Sequence, residues 1–301
     1  MNRILIVLLL LIPQDTLKVS VNLVTVGVRV TDSRGRDVRG LKAENFSIVD
    51  DGVPQKIEFF SSDEQSIALG ILLDRSFSMS YNAKLDRAKE AALALVRATH
   101  AGSEFFFFAF DDLVPNAADV TADRRRIESA IELTSIGGGT SLYDAILQGL
   151  SLYSRSQLPR QALVIISDGA DQHSTHKLEE VIHAVRESET QVFTIGYFGA
   201  EEEKLFRSPD KKLKLLDGRV IDNPRVVLEQ LARDSGAESF FPQSDLALTR
   251  AVEKIADDLR MQYTAAFYPS SVRENHYHEL RVRVRGGRYD VRARPGYGTG
   301  K

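Results

Sequence analysis

The chain has 301 residues, a formal net charge of −3 and no cysteine. That length admits two domains, or one large domain with an accessory module, and an apolar fraction of 43% supports a substantial core. The near-neutral charge gives no bulk attraction to nucleic acid or to an anionic membrane, and the missing cysteines exclude disulfides, thiolate metal sites and cysteine nucleophiles.

Arg3 precedes an apolar run from Ile4 to Ile12, which has the charge and length of an export signal, although Pro13-Gln14-Asp15 supplies no small-residue cleavage site. The run is shorter than the about 20 apolar residues that a transmembrane helix needs, so no transmembrane segment is expected. We therefore expect residues 1–15 to be a signal segment and the protein to be secreted, periplasmic or on the cell surface; without a signal the location is cytoplasmic.

From Leu17 to Asp32 apolar and polar residues alternate as in a half-buried strand, with a phase slip at Leu23-Val24 that predicts a bulge or two successive strands. Asp32-Ser33-Arg34-Gly35-Arg36-Asp37 predicts a turn, and Phe46 to Val49 and Lys56 to Phe60 predict short strands around Asp50-Asp51-Gly52. From Ile67 the pattern changes to strands alternating with helices. Strands are expected at Ile67–Asp74, Phe105–Phe110, Ala162–Ser167 and Gln191–Gly196. Helices are expected at Lys84–Thr99, Asp123–Leu133, Ser141–Tyr153, Lys177–Glu187, Pro224–Ser235 and Asp245–Met261. In the first of these, Leu85, Ala88, Ala92 and Leu95 form the apolar face and Lys84 lies off it. The charged stretch Glu201 to Asp222 reads as an exposed insertion or hairpin. Strand patterns return at Leu280–Val284 and Tyr289–Ala293.

This order predicts an α/β fold: a doubly wound, mainly parallel sheet inserted into a small β-sandwich made from the N- and C-terminal strands. The expected boundaries are 16–64 for the N-terminal β-module, 65–262 for the α/β domain and 263–301 for the strands that complete the β-module. Ligands of such sheets bind at the carboxyl ends of strands, which is where Asp74 and Asp168 fall.

The run Ile67–Leu73 ends in Asp74-Arg75-Ser76-Phe77-Ser78, one carboxylate and two hydroxyls at alternating positions, a donor set for a hard divalent cation. Gly137-Gly138-Gly139-Thr140-Ser141 opens a helix, and Ser167-Asp168-Gly169 ends a second buried strand. With these segments in this order, the chain resembles the von Willebrand factor A domain family, whose metal-ion-dependent adhesion site is a D-x-S-x-S loop plus a separate Thr and a separate Asp. The resemblance places Asp74, Ser76, Ser78, Thr140 and Asp168 at those positions. It is similar, over nearly its whole length, to a bacterial group of secreted A-domain proteins: Val30-Thr31-Asp32, Gly35, Val38, Gly40-Leu41, Phe46 and Pro295-Gly296-Tyr297 carry that likeness.

Two carboxylates only balance a divalent cation, so a metal held this way stays electrophilic, and Mg²⁺, or alternatively Mn²⁺ or Ca²⁺, is expected. The resemblance implies that a Glu or Asp carboxylate of a protein partner completes the coordination. Ser76 and Ser78 are expected to coordinate directly and Asp74 and Asp168 mostly through water; Thr140, on its glycine approach, is the ligand expected to switch between the two modes. The plainer account of the three hydroxyls is helix N-capping. Asp111 and Asp144 are secondary rim candidates. His173, His176, His276 and His278 read as surface histidines, and Arg281, Arg283, Arg285, Arg288, Arg292 and Arg294 as a solvated sheet face.

The function expected is a non-enzymatic, metal-dependent protein-binding module for adhesion or assembly, with no nucleic-acid partner. An intracellular assembly subunit is the alternative. A hydrolase or phosphotransferase using Asp74 as nucleophile is disfavoured, because Ser76 stands where the aspartate-phosphate pattern has a second Asp and no Gly-x-Ser-x-Gly or Walker loop occurs.

Overall fold

The computed structural model describes residues 23–114, 119–215, 218–271, 273 and 275–299. The expected signal segment and the strand residues before Leu23 lie outside the described residues. Among the described residues no helix is long and apolar enough to cross a membrane.

In chain order the elements are β1 (Val24–Asp32), β2 (Phe46–Asp50), β3 (Val53–Gln55), β4 (Phe59–Ser61), β5 (Ala68–Asp74), α1 (Lys84–Ala98), β6 (Glu104–Phe110), α2 (Arg124–Glu132) and α3 (Leu142–Leu152). There follow β7 (Gln161–Ser167), α4 (Leu178–Glu187), β8 (Gln191–Gly196), α5 (Ala200–Phe206), β9 (Lys212–Lys214), β10 (Val220–Asp222) and α6 (Pro224–Asp234). The chain closes with β11 (Ser239–Phe240), α7 (Asp245–Arg260), β12 (Tyr263–Phe267), β13 (His276–Val284), β14 (Tyr289–Arg292) and β15 (Gly296–Thr299).

The central sheet is parallel throughout, in the order β11-β8-β7-β5-β6. Its middle strand β5 is buried along its whole length, as a strand covered on both faces must be. Leu69, Ile71 and Leu73 pack with Leu95, Ile127 and Ile255 of α1, α2 and α7 on one face. Ala68 and Leu72 pack with Ile146, Val181 and Leu228 of α3, α4 and α6 on the other. Gly70 belongs to the second face, where a Cβ would overlap the Phe106 ring, so glycine lets the neighbouring strand's large side chain lie flat.

Two antiparallel four-stranded sheets, β14-β1-β12-β4 and β15-β13-β2-β3, draw strands from both chain ends and enclose a core of Val26, Val28, Val30, Ile48, Phe267 and Leu280. This is the α/β sheet with a terminal β-sandwich that the element order predicts. Strand β1 serves two partners in succession, pairing Val24–Val28 with β12 and Arg29–Asp32 with β14.

Four local expectations need correction. Of the strand expected over Lys56–Phe60 only Phe59 and Phe60 are extended, in β4, because the chain leaves β2 at Gln55, the end of β3, and joins β12 from Phe59. The 201–222 stretch does form the expected hairpin, as β9 and β10, but the hairpin follows helix α5 and the stretch is not wholly exposed, since Phe206 and Leu213 are buried. Lys84 is buried, despite its place off the apolar face of α1. Arg292 and Arg294 do not join a solvated arginine face: Arg292 pairs with Glu238 at 3.0 Å and with Asp258, and buried Arg294 donates to the Thr25 carbonyl at 2.9 Å.

Candidate metal centre at the carboxyl ends of the parallel strands

Because β5, β6 and β7 run in one direction, Asp74, Asp111 and Asp168 all emerge at the same rim. Asp74 ends β5 with no exposure to solvent. Its Oδ1 accepts the Ser76 amide at 2.8 Å and its Oδ2 accepts the Ser167 hydroxyl at 2.6 Å. The Ser76 and Ser78 hydroxyls lie 3.0 Å apart, and that of Ser78 favours the charged form of the neighbouring Asp168 carboxylate. Asp74, Ser76, Ser78 and Asp168 thus form one connected cluster.

Thr140 reaches this rim on the Gly137–Gly139 loop, which is stitched to the Asp74 loop by backbone bonds from the Phe77 amide to Gly138 O at 2.8 Å and from the Gly137 amide to Arg75 O at 2.7 Å. Its own carbonyl accepts the Gln172 and His173 amides at 3.0 Å, and its amide donates to His173 Nδ1 at 3.2 Å. Thr140 is therefore buried at the meeting of the three loops.

The capping account of the hydroxyls does not fit. The N-cap of α1 is Ala83 in the left-handed conformation; Ser76 precedes a 3₁₀ turn and makes no side-chain cap bond. The N-cap of α3 is Ser141, one residue past Thr140, again without a side-chain cap. The Ser76 and Ser78 hydroxyls instead face each other and the two carboxylates.

Charge in the cluster is unbalanced. Burial, and then the charge of Asp168, push the Asp74 carboxyl up to about 7. Burial likewise raises Asp168, against the Ser78 hydroxyl and the Lys84 ammonium. Lys84 Nζ stands 3.8 Å from Asp168 and 3.0 Å from Glu202, so the one buried lysine of α1 is shared between two acids. Two desolvated carboxylates with hydroxyl neighbours fit a divalent cation by both charge and donor hardness.

The two rim candidates hold loops. Asp111 accepts the Gly138 amide at 3.3 Å and the Leu113 amide at 2.8 Å, and pairs with Arg75 at 2.6 Å. Against the raising effect of burial, these bonds and the Arg75 charge hold its carboxyl below the usual range. A Cβ on Gly137 would overlap its Oδ2, which explains a glycine there. Asp144 accepts the Thr175 and His176 amides, both at 3.0 Å, fastening α3 to the loop after Asp168. Ser167 and Lys84 were missed by sequence reasoning. Ser167 directly precedes Asp168 in the motif already noted, whereas nothing in the helical pattern sets Lys84 apart. Phe77 and Tyr81 stand beside the cluster as an edge-to-face pair, ring centroids 5.7 Å apart, 61% and 56% exposed.

The model of the von Willebrand factor type A domain family matches residues 69–170, the span from β5 to the Asp168 loop. No curated protein matches the chain. Among solved structures, a von Willebrand factor type A protein from Catenulispora acidiphila is 12% identical, covering 85% of this chain and 74% of that one at a TM-score of 0.50. An aerotolerance-related membrane protein from Bacteroides fragilis is 19% identical over 64% of this chain and 99% of its own, at a TM-score of 0.45. The corresponding domain of the type V pili tip protein Mfa5 from Porphyromonas gingivalis is 11% identical over 65% and 97%, at 0.49. At such identities likeness concerns the fold alone. Residues 69–170, which carry the central strands and the Asp74, Thr140 and Asp168 loops, are the part of the chain that matches the von Willebrand factor type A domain family.

Proposed function

We propose that the chain is a divalent-cation-dependent protein-binding module whose cation is held by Asp74, Ser76, Ser78, Thr140 and Asp168. The observation that carries this reading is the pairing of buried Asp74 and Asp168, each raised by burial, with serine hydroxyls converging on them. A bound Mg²⁺, or Mn²⁺ or Ca²⁺, supplies the missing positive charge and a position open to an external carboxylate. In this chain Asp74 and Ser167 keep the two strand ends together, and Ser76 and Ser78 present hydroxyl oxygens. The Gly137–Gly139 loop brings Thr140 to the same point.

The partner we propose is a protein that offers an Asp or Glu side chain to the site and apolar surface to Phe77 and Tyr81. Exposed aromatics beside a polar centre are the residues that most often carry interface energy. The module is taken to be non-enzymatic: Ser76 stands where the aspartate-phosphate pattern has a second Asp, and no Gly-x-Ser-x-Gly or Walker loop occurs in the sequence. Action outside the cytoplasm, in adhesion or assembly at a cell surface, goes with the export-signal reading of residues 1–15.

The test is a Mg²⁺ and Mn²⁺ titration of wild type and Asp74→Ala, followed by capture of binding proteins with and without EDTA. Metal-dependent stabilisation and EDTA-sensitive capture in wild type alone support the proposal. Equal behaviour of the two proteins refutes it, and turnover of phosphate esters would favour the hydrolase reading instead.

A further inference from the structure

The β-sandwich carries a second convergence of ligating side chains, far along the chain from the Asp74 loop and independent of the reading given to it. β2 ends in Asp50, and the tight turn to β3 passes through Asp51 and Gly52, both with positive φ (46° and 83°). That turn lies against β13, whose residues His276 and His278 project from the same face two positions apart. Asp51 Oδ2 is 3.0 Å from His276 Nε2 and 3.2 Å from His278 Nδ1, and Asp50 Oδ1 is 3.1 Å from His278 Nδ1. The Asp51, His276 and His278 ligand atoms all lie within 4.8 Å of one another. The sequence reading of His278 as a surface residue is thereby corrected: it is 2% exposed, stacked on Tyr297 with centroids 4.7 Å apart.

We propose that Asp51, His276 and His278 form a three-ligand binding site for Zn²⁺ or a similar borderline divalent metal, with Asp50 beside the His278 ring. Bonds of 2.0–2.1 Å in a tetrahedron put ligand atoms about 3.3–3.4 Å apart; Asp51 Oδ2 stands 3.0 and 3.2 Å from the two imidazole nitrogens, and all three atoms lie within 4.8 Å. His276 Nε2 bonds Asp51 Oδ2, and His278 Nδ1, which bonds Asp50 Oδ1, also stands 3.2 Å from that same Asp51 oxygen, so both rings bring a nitrogen to one carboxylate oxygen. The far carboxylate oxygens are already engaged: Asp51 Oδ1 accepts the Glu279 amide at 2.9 Å, and Asp50 Oδ2 accepts the Tyr297 hydroxyl at 2.9 Å. Outer partners of this kind are what orient carboxylates in metal sites. His276 and Asp51 remain partly exposed, leaving a way in for the ion. The site would clasp the β2–β3 turn to β13, and its two imidazoles distinguish it from the all-oxygen cluster at Asp74, which suits Mg²⁺.

The experiment is calorimetric titration of Zn²⁺ into the full chain bearing Asp74→Ala, which removes the first cluster from the count, and into the same chain with His276→Ala added. His276 is partly exposed, so its loss leaves the fold intact, which circular dichroism verifies. The proposal expects about one Zn²⁺ per chain in the first protein and at least about tenfold weaker binding in the second. Co²⁺ should give the intense visible absorption of a tetrahedral ion with the first protein and not the second. Absence of Zn²⁺ binding in the Asp74→Ala chain, or binding unchanged by His276→Ala, overturns it.

Discussion

The Ser167 hydroxyl donates to Asp74 Oδ2 at 2.6 Å while its own oxygen accepts the Gly169 amide at 2.8 Å. One serine thus joins the end of β5 to the turn that presents Asp168. Ser167→Ala removes the donor from a fully buried carboxylate and should cost about 1–3 kcal/mol, read from urea unfolding of the metal-free protein. Because Asp74 is then held less firmly, Mg²⁺ affinity should drop by about 10–100-fold in the same protein.

Without metal, stability should depend on pH in the direction set by Asp74. Its carboxyl is raised from 3.8 to about 7 in the folded chain, so the fold favours the protonated form. This contribution is fully present below about pH 4 and is lost as pH rises through 7. Asp168 is raised too and acts with the same sign. Urea unfolding in EDTA at pH 5 and pH 8 checks this: the difference should shrink in Asp74→Asn, and saturating Mg²⁺ should restore stability at the higher pH in wild type.

Lys84 sets two effects against each other. Its ammonium, 3.8 Å from Asp168, offsets part of the buried negative charge when no metal is present, and it opposes a cation there. Lys84→Met should lower the stability of the metal-free chain yet raise Mg²⁺ affinity, by roughly tenfold on Coulomb grounds. Calorimetry and thermal unfolding of one variant measure both, and a fall in the two together would contradict the assignment.

Phe77 and Tyr81 should matter to the partner and not to the fold. Phe77→Ala removes an exposed ring, so thermal stability should change by no more than about 0.5 kcal/mol. Capture of the partner should weaken by about 1–2 kcal/mol, the range of an interface aromatic. An unchanged affinity would remove this face from the interface.

Much of this architecture is legible from period and position. Leu69, Leu72 and Ile165 announce strands covered on both faces, and Leu85, Ala88, Ala92 and Leu95 mark the inward side of α1. The Asp74, Thr140 and Asp168 loops follow from the parallel order, which puts strand ends on one rim. What escapes local pattern depends on partners far away in sequence. Lys84 is buried because Glu202 and Asp168 fold over it, and Arg294 because Thr25 and Ser188 offer it carbonyls. His278 is buried because Tyr297 and Asp50 meet it from other strands, although its period-two spacing from His276 is visible. Periodicity reports a residue's face and is silent on what packs there.

Whether Asp74 and its neighbours hold a divalent cation is decided by thermal unfolding of wild type and Asp74→Asn across a Mg²⁺ titration. The midpoint should climb with Mg²⁺ in wild type, by an amount equal to about 2.7 kcal/mol at one hundred times the dissociation constant, and stay level in the variant. A midpoint that ignores Mg²⁺ and Mn²⁺ in wild type, or that rises equally in both proteins, would contradict cation binding at Asp74.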